Sequence, residues 1–138
     1  MSTVSVPVDN RRVATLLRKA VGLFGAKGRS WIKGDLKQEI DYKGDTVLYG
    51  YCAAGAIREV AATEGFTDAE RVAAERTLAE LIIKSKGMTV RDYTDGYTST
   101  LDQSTVEEII FSTNDDEYTT FEDVKGFFSR TVSWLKGR

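Results

Sequence analysis

The chain has 138 residues, of which 41% are hydrophobic and 29% are charged, and its formal net charge is −2. This length suits one domain with a buried core, and the near-neutral charge argues against a uniformly basic nucleic-acid-binding protein. The sequence contains no histidine and one cysteine. That excludes Ser-His-Asp and Cys-His catalytic groups, the usual tetrahedral zinc sites and an internal disulfide. We therefore expect a soluble protein of the reducing cytoplasm, with no cofactor, no metal site, no catalytic residue and no membrane segment.

The N-terminal part predicts a flexible tail over residues 1–8, followed by an amphipathic helix. Asp9 suits the N-cap of this helix, and apolar residues recur at three- and four-residue spacing from Val13 to Phe24. The glycines of Gly25-Ala26-Lys27-Gly28 suit the end of the helix, because glycine tolerates the left-handed backbone of a C-cap.

The face of this helix opposite the apolar residues is basic. Between Arg11 and Lys37 the sequence has eight basic residues and one acidic residue, whereas residues 102–123 have eight acidic residues and no basic one. One interpretation is an ordinary solvated surface whose charges attract the acidic part of the same domain. The other is a nucleic-acid-binding surface. Its residues are Arg11, Arg12, Arg18, Lys19, Lys27 and Arg29.

Residues 30–50 follow neither helical nor strict strand spacing, and Lys43-Gly44-Asp45 suggests the turn of a small hairpin. Residues 51–64 predict the central helix, whose first residues are small enough for a neighbouring backbone to approach closely. Cys52 lies at the start of this helix. It is either a small core residue or a nucleophile whose thiolate the helix dipole stabilises. The lack of histidine and the surrounding alanines favour the core interpretation.

Three capping boxes predict helix starts in the second half of the chain. Thr67-Asp68-Ala69-Glu70 begins a long helix to about Lys86, Ser104-Thr105-Val106-Glu107 begins a short helix, and Thr119-Thr120-Phe121-Glu122 begins the final helix. Residues 88–103 contain Asp95-Gly96 between threonine- and tyrosine-rich flanks, which predicts a hairpin. The expected fold is thus a mainly α single domain of four substantial helices and one short helix, with a possible small β-hairpin element.

An acidic loop is predicted over residues 112–118. Its Asn114-Asp115-Asp116-Glu117 offers oxygen ligands to a hard cation, but the spacing does not match an EF-hand. The favoured role is that Asn114 and Asp115 form side-chain-to-backbone turn bonds or orient the neighbouring helix N-terminus. Tyrosines outside helices suit protein recognition, because they give contact area at a small entropic cost. The alternative is that these loops pack their own aromatic rings against the domain. The predicted partner-binding residues are Tyr93, Tyr97, Asp115, Asp116 and Tyr118.

Four motifs together resemble an uncharacterised family of small proteins from actinobacteria and their phages. They are Trp31-Ile32-Lys33-Gly34, Cys52-Ala53-Ala54-Gly55-Ala56-Ile57, Asn114-Asp115 and Phe121-Glu122-Asp123-Val124. Family members have a Trp- or Phe-Asn-Asp turn before the closing helix, whereas this chain has Phe111-Ser112-Thr113 before its asparagine. The resemblance implies a shared structural centre and no established reaction. The residues of that centre are Trp31, Gly34, Cys52, Gly55, Ala56, Asn114 and Asp115.

The leading functional hypothesis is a non-enzymatic phage accessory protein that binds a host protein in the host cytoplasm. The phage origin follows from the resemblance alone. A nucleic-acid-binding regulator that uses the basic N-terminal helix is the first alternative. The second is an enzyme centred on Cys52 with Asn114 and Asp115, which requires that the thiol and the acidic loop share a pocket.

Overall fold

The computed structural model describes residues 8–44 and 46–137 of the chain. In this part the elements are α1 Asn10–Gly22, β1 Lys37–Lys43, β2 Thr46–Tyr51, α2 Ala53–Thr63, α3 Asp68–Ser85, α4 Val90–Tyr93, α5 Gln103–Asp115 and α6 Phe121–Lys136. The predicted mainly α fold with a small β element is confirmed. No helix within the described ranges is long and apolar enough to cross a membrane. Of the predicted tail, residues 1–7 lie outside the described residues, and Val8 packs against the core.

One hydrophobic core joins the five longer helices. Helix α1 packs against α2, α3 and α6, and α3 also packs against α5. Phe24, which follows α1, makes an edge-to-face contact with Phe128 of α6, with ring centroids 6.0 Å apart. Burying one such side chain contributes about 1.5–3 kcal/mol. Because the shared core joins all the longer helices, their ends are fixed relative to one another. Its largest fully buried apolar side chains include Leu16, Leu17, Ile57, Leu78, Ile83 and Ile110.

The N-caps explain where the helices begin. The side chain of Asp9 accepts a hydrogen bond from the backbone of Arg11 at 2.8 Å, as predicted for α1. The Thr67 capping box of α3 is also confirmed. Helix α6 begins one residue later than the predicted box, with Thr120 as its cap. The predicted Ser104 box is wrong, because the Asp102 side chain already caps α5 by accepting from the backbone of Thr105.

Helix α5 is much longer than the short helix that the sequence predicts. It continues to Asp115, so the first part of the predicted acidic loop is helical. Asn114 in its last turn is buried, and its polar side chain is satisfied by groups distant in sequence. The described chain therefore has five substantial helices rather than four, and only residues 116–120 connect α5 to α6.

The hairpin predicted around Lys43-Gly44-Asp45 is confirmed, since β1 and β2 pair antiparallel with Lys37 opposite Tyr51. Asp45 itself lies outside the described residues. The second hairpin, predicted for residues 88–103, is wrong. A capping box of Thr89 and Asp92 instead starts the single helical turn α4. Asp95 and Gly96, with φ of 55° and 81°, end that turn, and the Gly96 N–H donates to the Arg91 carbonyl.

A segment of residues 31–36 connects α1 to the hairpin and positions the candidate site. Its start runs beside the end of β2, where the Ile32 N–H donates to the Tyr51 carbonyl at 3.1 Å. Its end crosses the first turn of α2, and the Leu36 carbonyl accepts from the Cys52 N–H at 3.3 Å. This segment, which we call the crossing segment, therefore lies against the start of α2.

Candidate functional site

The site is centred on the buried amide of Asn114, in the last turn of α5. Its Oδ1 atom accepts from the indole N–H of Trp31 at 2.6 Å and from the backbone N–H of Ala53 at 3.0 Å. Its Nδ2 atom donates to the Ile32 carbonyl at 3.0 Å and to Asp115 Oδ1 at 2.9 Å. One side chain thus joins the crossing segment, the start of α2 and the end of α5.

Asp115 and Lys33 make a second connection between α5 and the crossing segment. Oδ1 of Asp115 accepts from the backbone N–H of Gly34 at 2.9 Å. Gly34 has φ of 92°, a conformation that favours glycine, so its backbone N–H can point at the carboxylate. The Lys33 ammonium donates to the Asp116 carbonyl at 2.6 Å. The turn after α5 is therefore fixed at two successive residues.

Gly55 explains the small residues in the first turn of α2. A Cβ atom added to Gly55 would lie 1.7 Å from the carbonyl oxygen of Leu36, a distance that no side chain can occupy. The crossing segment therefore packs directly on the helix backbone. Because Gly55 and Leu36 touch through backbone atoms, a larger residue at position 55 would push the segment away from α2.

Cys52 is the N-cap of α2, and its sulfur accepts from the Gly55 N–H at 3.3 Å. Its side chain is 2% exposed. Burial raises the pKa of the thiol, and the Asp115 carboxylate raises it further, against the opposing effect of the Gly55 and Ala54 N–H groups. The thiol is thus held in its neutral form at neutral pH, which makes it a poor nucleophile.

A cleft of about 250 Å³ opens where these elements meet. The crossing segment, the α2 N-cap and the end of α5 all contribute to its walls. Cys52 and Asp115 therefore share one cavity, so the spatial requirement of the enzyme hypothesis is met while the thiol chemistry opposes it. The lining residues are Gly34, Asp35, Leu36, Cys52, Phe111 and Asp115.

These connections involve the motif residues on which the resemblance to a sequence family rests. The pattern of a family of unknown function, DUF6197, matches residues 8–133. The chain belongs to DUF6197. Comparisons of the DUF6197 chain with curated proteins and with solved structures find no match. The predicted membership of an uncharacterised family is confirmed, and the actinobacterial or phage origin stays a prediction.

The structure of this DUF6197 protein places all seven residues of the predicted centre around the start of α2. Trp31 and Gly34 are on the crossing segment, and Asn114 and Asp115 bond to them from α5. Ala56 is buried in α2, one position after Gly55 and four positions after the Cys52 cap. These hydrogen bonds and the Gly55 contact give most of the motif residues an architectural role at the cleft.

The predicted partner-binding residues divide into exposed and packed groups. Tyr97 and Tyr118 are 90% and 82% exposed. Asp115 and Asp116 are exposed as well. Tyr93 is different, because its ring is partly buried and packs against the core. Exposed tyrosines therefore lie in the turn that follows α4 and in the turn between α5 and α6.

The basic residues of α1 are partly neutralised by acidic residues of the DUF6197 domain itself. Arg12 forms an ion pair with Glu70 of α3, and this hydrogen bond lowers the pKa of the carboxyl group. Lys19 pairs with Glu64 at 2.8 Å. Arg12 and Lys19, which belong to the nucleic-acid hypothesis, are thus already bound to carboxylates. Its other four residues, Arg11, Arg18, Lys27 and Arg29, are exposed.

A buried polar cluster around Glu75 was not predicted from the sequence. The Glu75 side chain on α3 is fully buried and pairs with Arg58 of α2 at 3.3 Å and with Arg71 at 3.0 Å. Gln103 of α5 donates to the same carboxylate at 2.7 Å, and Arg58 also pairs with Glu107. The i, i+4 spacings of Arg71 with Glu75 and of Gln103 with Glu107 are local signals, whereas the contacts that join the three helices are between residues distant in sequence.

Metal ligands do not gather in the part of the chain that the structure describes. Within residues 8–44 and 46–137, no three acidic or cysteine side chains are grouped to hold an ion. The oxygen atoms of the acidic run accept hydrogen bonds instead, and those of Asn114 and Asp115 come from groups distant in sequence. The turn-forming bond is made by the next residue, since Asp116 Oδ1 accepts from the backbone of Tyr118 at 2.8 Å.

Proposed function

We propose that this protein works by binding another protein, through the turn between α5 and α6. We define its binding surface as the exposed residues Asp115, Asp116, Glu117 and Tyr118. The family resemblance extends the proposal to an accessory phage protein that acts on a host protein in the cytoplasm of an actinobacterial host.

The observation that carries the proposal is an exposed tyrosine on a fixed acidic turn. Tyr118 is 82% exposed, and its backbone N–H is held by the Asp116 side chain. The turn is further held by the bonds from Gly34 to Asp115 and from Lys33 to Asp116. A rigid tyrosine loses little entropy on binding, and a turn that is already ordered reduces the cost of association.

The chemistry of the cleft supports binding over catalysis. A nucleophilic cysteine needs a lowered pKa or an adjacent base, and histidine is absent from the sequence. Burial and the neighbouring carboxylate raise the pKa of Cys52 instead. The free N–H groups that give a helix N-terminus its attraction for anions are also partly used, by Asn114 on Ala53 and by the thiol on Gly55.

Affinity capture from an actinobacterial host lysate tests this proposal. The protein and its Tyr118→Ala, Tyr97→Ala and Tyr49→Ala variants are immobilised, and the captured proteins are identified by mass spectrometry. Tyr49 is the matched control, since it is a half-exposed tyrosine on β2. We expect at least one protein to be captured by both the parent chain and Tyr49→Ala. The same protein should be missing from the Tyr118→Ala capture.

Two results would contradict the proposal. One is an identical set of captured proteins for the parent chain and Tyr118→Ala. The other is a set that disappears when the lysate is treated with nuclease, which would favour the nucleic-acid alternative. Binding through nucleic acid would also weaken steeply as salt is raised, because phosphate contacts release counterions.

A further inference from the structure

We propose that the cleft beside the α5–α6 turn receives a cationic side chain, in the first place an arginine, from the bound protein. This inference rests on the proposed function and names the chemistry of the partner. The cleft shares Asp115 with the binding surface, so a partner that covers Tyr118 can place a side chain in it.

The cleft has room for one extended side chain. Its volume is about 250 Å³. Such a side chain can enter it from a surface that the bound protein already contacts.

The walls of the cleft are apolar at two positions. Leu36 is 40% exposed, which is unusual for a large aliphatic side chain in this domain, and Phe111 is half-buried. The buried, neutral Cys52 also lines the cleft. Long cationic side chains pack their aliphatic stems on such surfaces while the charged head reaches polar groups.

Two carboxylates give the cleft the complementary charge. Asp35 and Asp115 both line it and are exposed. The bonds from Gly34 and Asn114 to Oδ1 fix the orientation of the Asp115 carboxylate before any partner arrives. The nearby cations are engaged elsewhere, since Lys33 donates to the Asp116 carbonyl and Lys37 to Glu59.

Arginine fits this environment better than lysine. Its planar guanidinium has five N–H donors for two carboxylates, and it stacks on aromatic rings such as that of Phe111. Lysine offers a compact, strongly hydrated charge that gains less from an apolar wall. We therefore expect arginine to bind more tightly than lysine.

A titration followed by nitrogen-15 NMR tests the proposal without a known partner. The probe is arginine with both ends blocked, N-acetyl-arginine amide, which represents an arginine within a protein chain. Blocked lysine and blocked glutamine are compared at low ionic strength. We expect shifts centred on the amides of Gly34, Leu36 and Phe111, with arginine binding more tightly than lysine and glutamine producing no saturable shift.

Matched charge variants show whether the cleft or the general acidic surface is responsible. Asp35→Asn removes a charge from the cleft, and Glu122→Gln removes an equal charge from the exposed first turn of α6, outside both the cleft and the binding surface. Exposed ion pairs contribute little, so Asp35→Asn should weaken probe binding by about three- to fivefold. Glu122→Gln should leave the probe affinity unchanged. The unliganded spectrum of each variant shows that it remains folded.

Three results would overturn the inference. They are the absence of saturable shifts at the cleft, an equal loss of affinity in Asp35→Asn and Glu122→Gln, and, in a parallel titration with free arginine, tighter binding than that of the blocked probe. The last would indicate a site for a free amino acid, because the blocked probe lacks the α-ammonium and α-carboxylate of free arginine. None of these results changes which proteins the parent chain captures and Tyr118→Ala loses. A failure of the arginine-site inference can therefore be told apart from a failure of the protein-binding proposal.

Discussion

The Oδ1 atom of Asn114 accepts a hydrogen bond from the indole N–H of Trp31 at 2.6 Å, across 83 positions of sequence. The same oxygen accepts from the backbone of Ala53 at the start of α2. Removing this one amide would leave two N–H groups without a partner, and the bonds of Gly34 to Asp115 and of Lys33 to Asp116 would remain to hold the crossing segment to α5. Asn114 is therefore the residue on which the geometry of the cleft depends most.

Replacing Asn114 by leucine should destabilise the protein strongly. A buried donor left without its partner costs about 1–3 kcal/mol, so we expect Asn114→Leu to lower the free energy of unfolding by about 3 kcal/mol in urea denaturation. Thr113→Val is the matched control. Among the described residues the buried Thr113 hydroxyl has no hydrogen-bond partner. Its removal should leave stability unchanged or slightly higher, and equal effects of the two substitutions would contradict the role of Asn114.

Two glycines inside helices should respond to alanine in opposite directions. Gly55→Ala places a methyl group 1.7 Å from the Leu36 carbonyl, whereas a methyl group at Gly126 of α6 lies 3.4 Å from the flexible end of Arg130. Alanine is favoured over glycine in a helix by about 1 kcal/mol. Gly126→Ala should therefore stabilise the protein or leave it unchanged. Gly55→Ala should destabilise it by about 2 kcal/mol or more, measured by thermal unfolding.

The same Gly55→Ala substitution should expose Cys52 by displacing the crossing segment. In the parent protein the thiol is 2% exposed and its pKa is raised by burial, so iodoacetamide should react about tenfold or more slowly than with the unfolded chain. In Gly55→Ala the reaction should accelerate. Fast alkylation of the folded parent protein would contradict the buried, neutral thiol.

Stability should fall at alkaline pH because of Cys52. Its pKa is higher in the folded state than in the unfolded state. The unfolded thiol therefore loses its proton first, starting at about pH 8.5, and stability decreases until the folded thiol also ionises. Cys52→Ser retains an N-cap oxygen and does not titrate in this range, so its stability should fall less between pH 8 and pH 10. Parallel pH profiles of the two proteins would count against this assignment.

Glu75 should be among the most sensitive positions outside the cleft. Its carboxylate is fully buried and is shared by Arg58, Arg71 and Gln103. Removing one partner of a buried ion pair costs about 3–5 kcal/mol. Because both arginines are partly exposed, we expect Glu75→Ala to lower the free energy of unfolding by about 3 kcal/mol, the lower end of this range. Glu108→Ala on the exposed side of α5 should change stability by less than about 0.5 kcal/mol. Chemical denaturation of both variants makes the comparison.

The elements predicted correctly are those whose signals lie within a few residues. Asp9 and the Thr67 box start α1 and α3 because a cap bonds only to the next turn. Cys52 falls at the start of α2, although the sequence indicates only the small residues and not their contact with Leu36. The hairpin predicted at Asp95-Gly96 is wrong. Thr89 instead caps a helical turn just before these residues, and Gly96 ends that turn.

The parts of the site that the sequence does not predict depend on long-range contacts. Helix α5 extends beyond Phe111 because Asn114 finds partners on two other elements, which no local pattern shows. The cluster around Glu75 likewise joins three helices through side chains far apart in sequence. The family resemblance groups Trp31, Cys52 and Asn114, and the bonds of Asn114 to Trp31 and to the backbone of Ala53, next to Cys52, explain why they form one site.

The most direct test of protein binding through the α5–α6 turn is the dissociation constant of the captured partner for Tyr118→Ala. A central interface tyrosine typically contributes more than about 1 kcal/mol, so we expect roughly tenfold weaker binding. Tyr49→Ala should bind within about twofold of the parent protein, since a residue outside the interface contributes little. Equal dissociation constants for Tyr118→Ala and the parent protein would show that the partner does not bind through this turn.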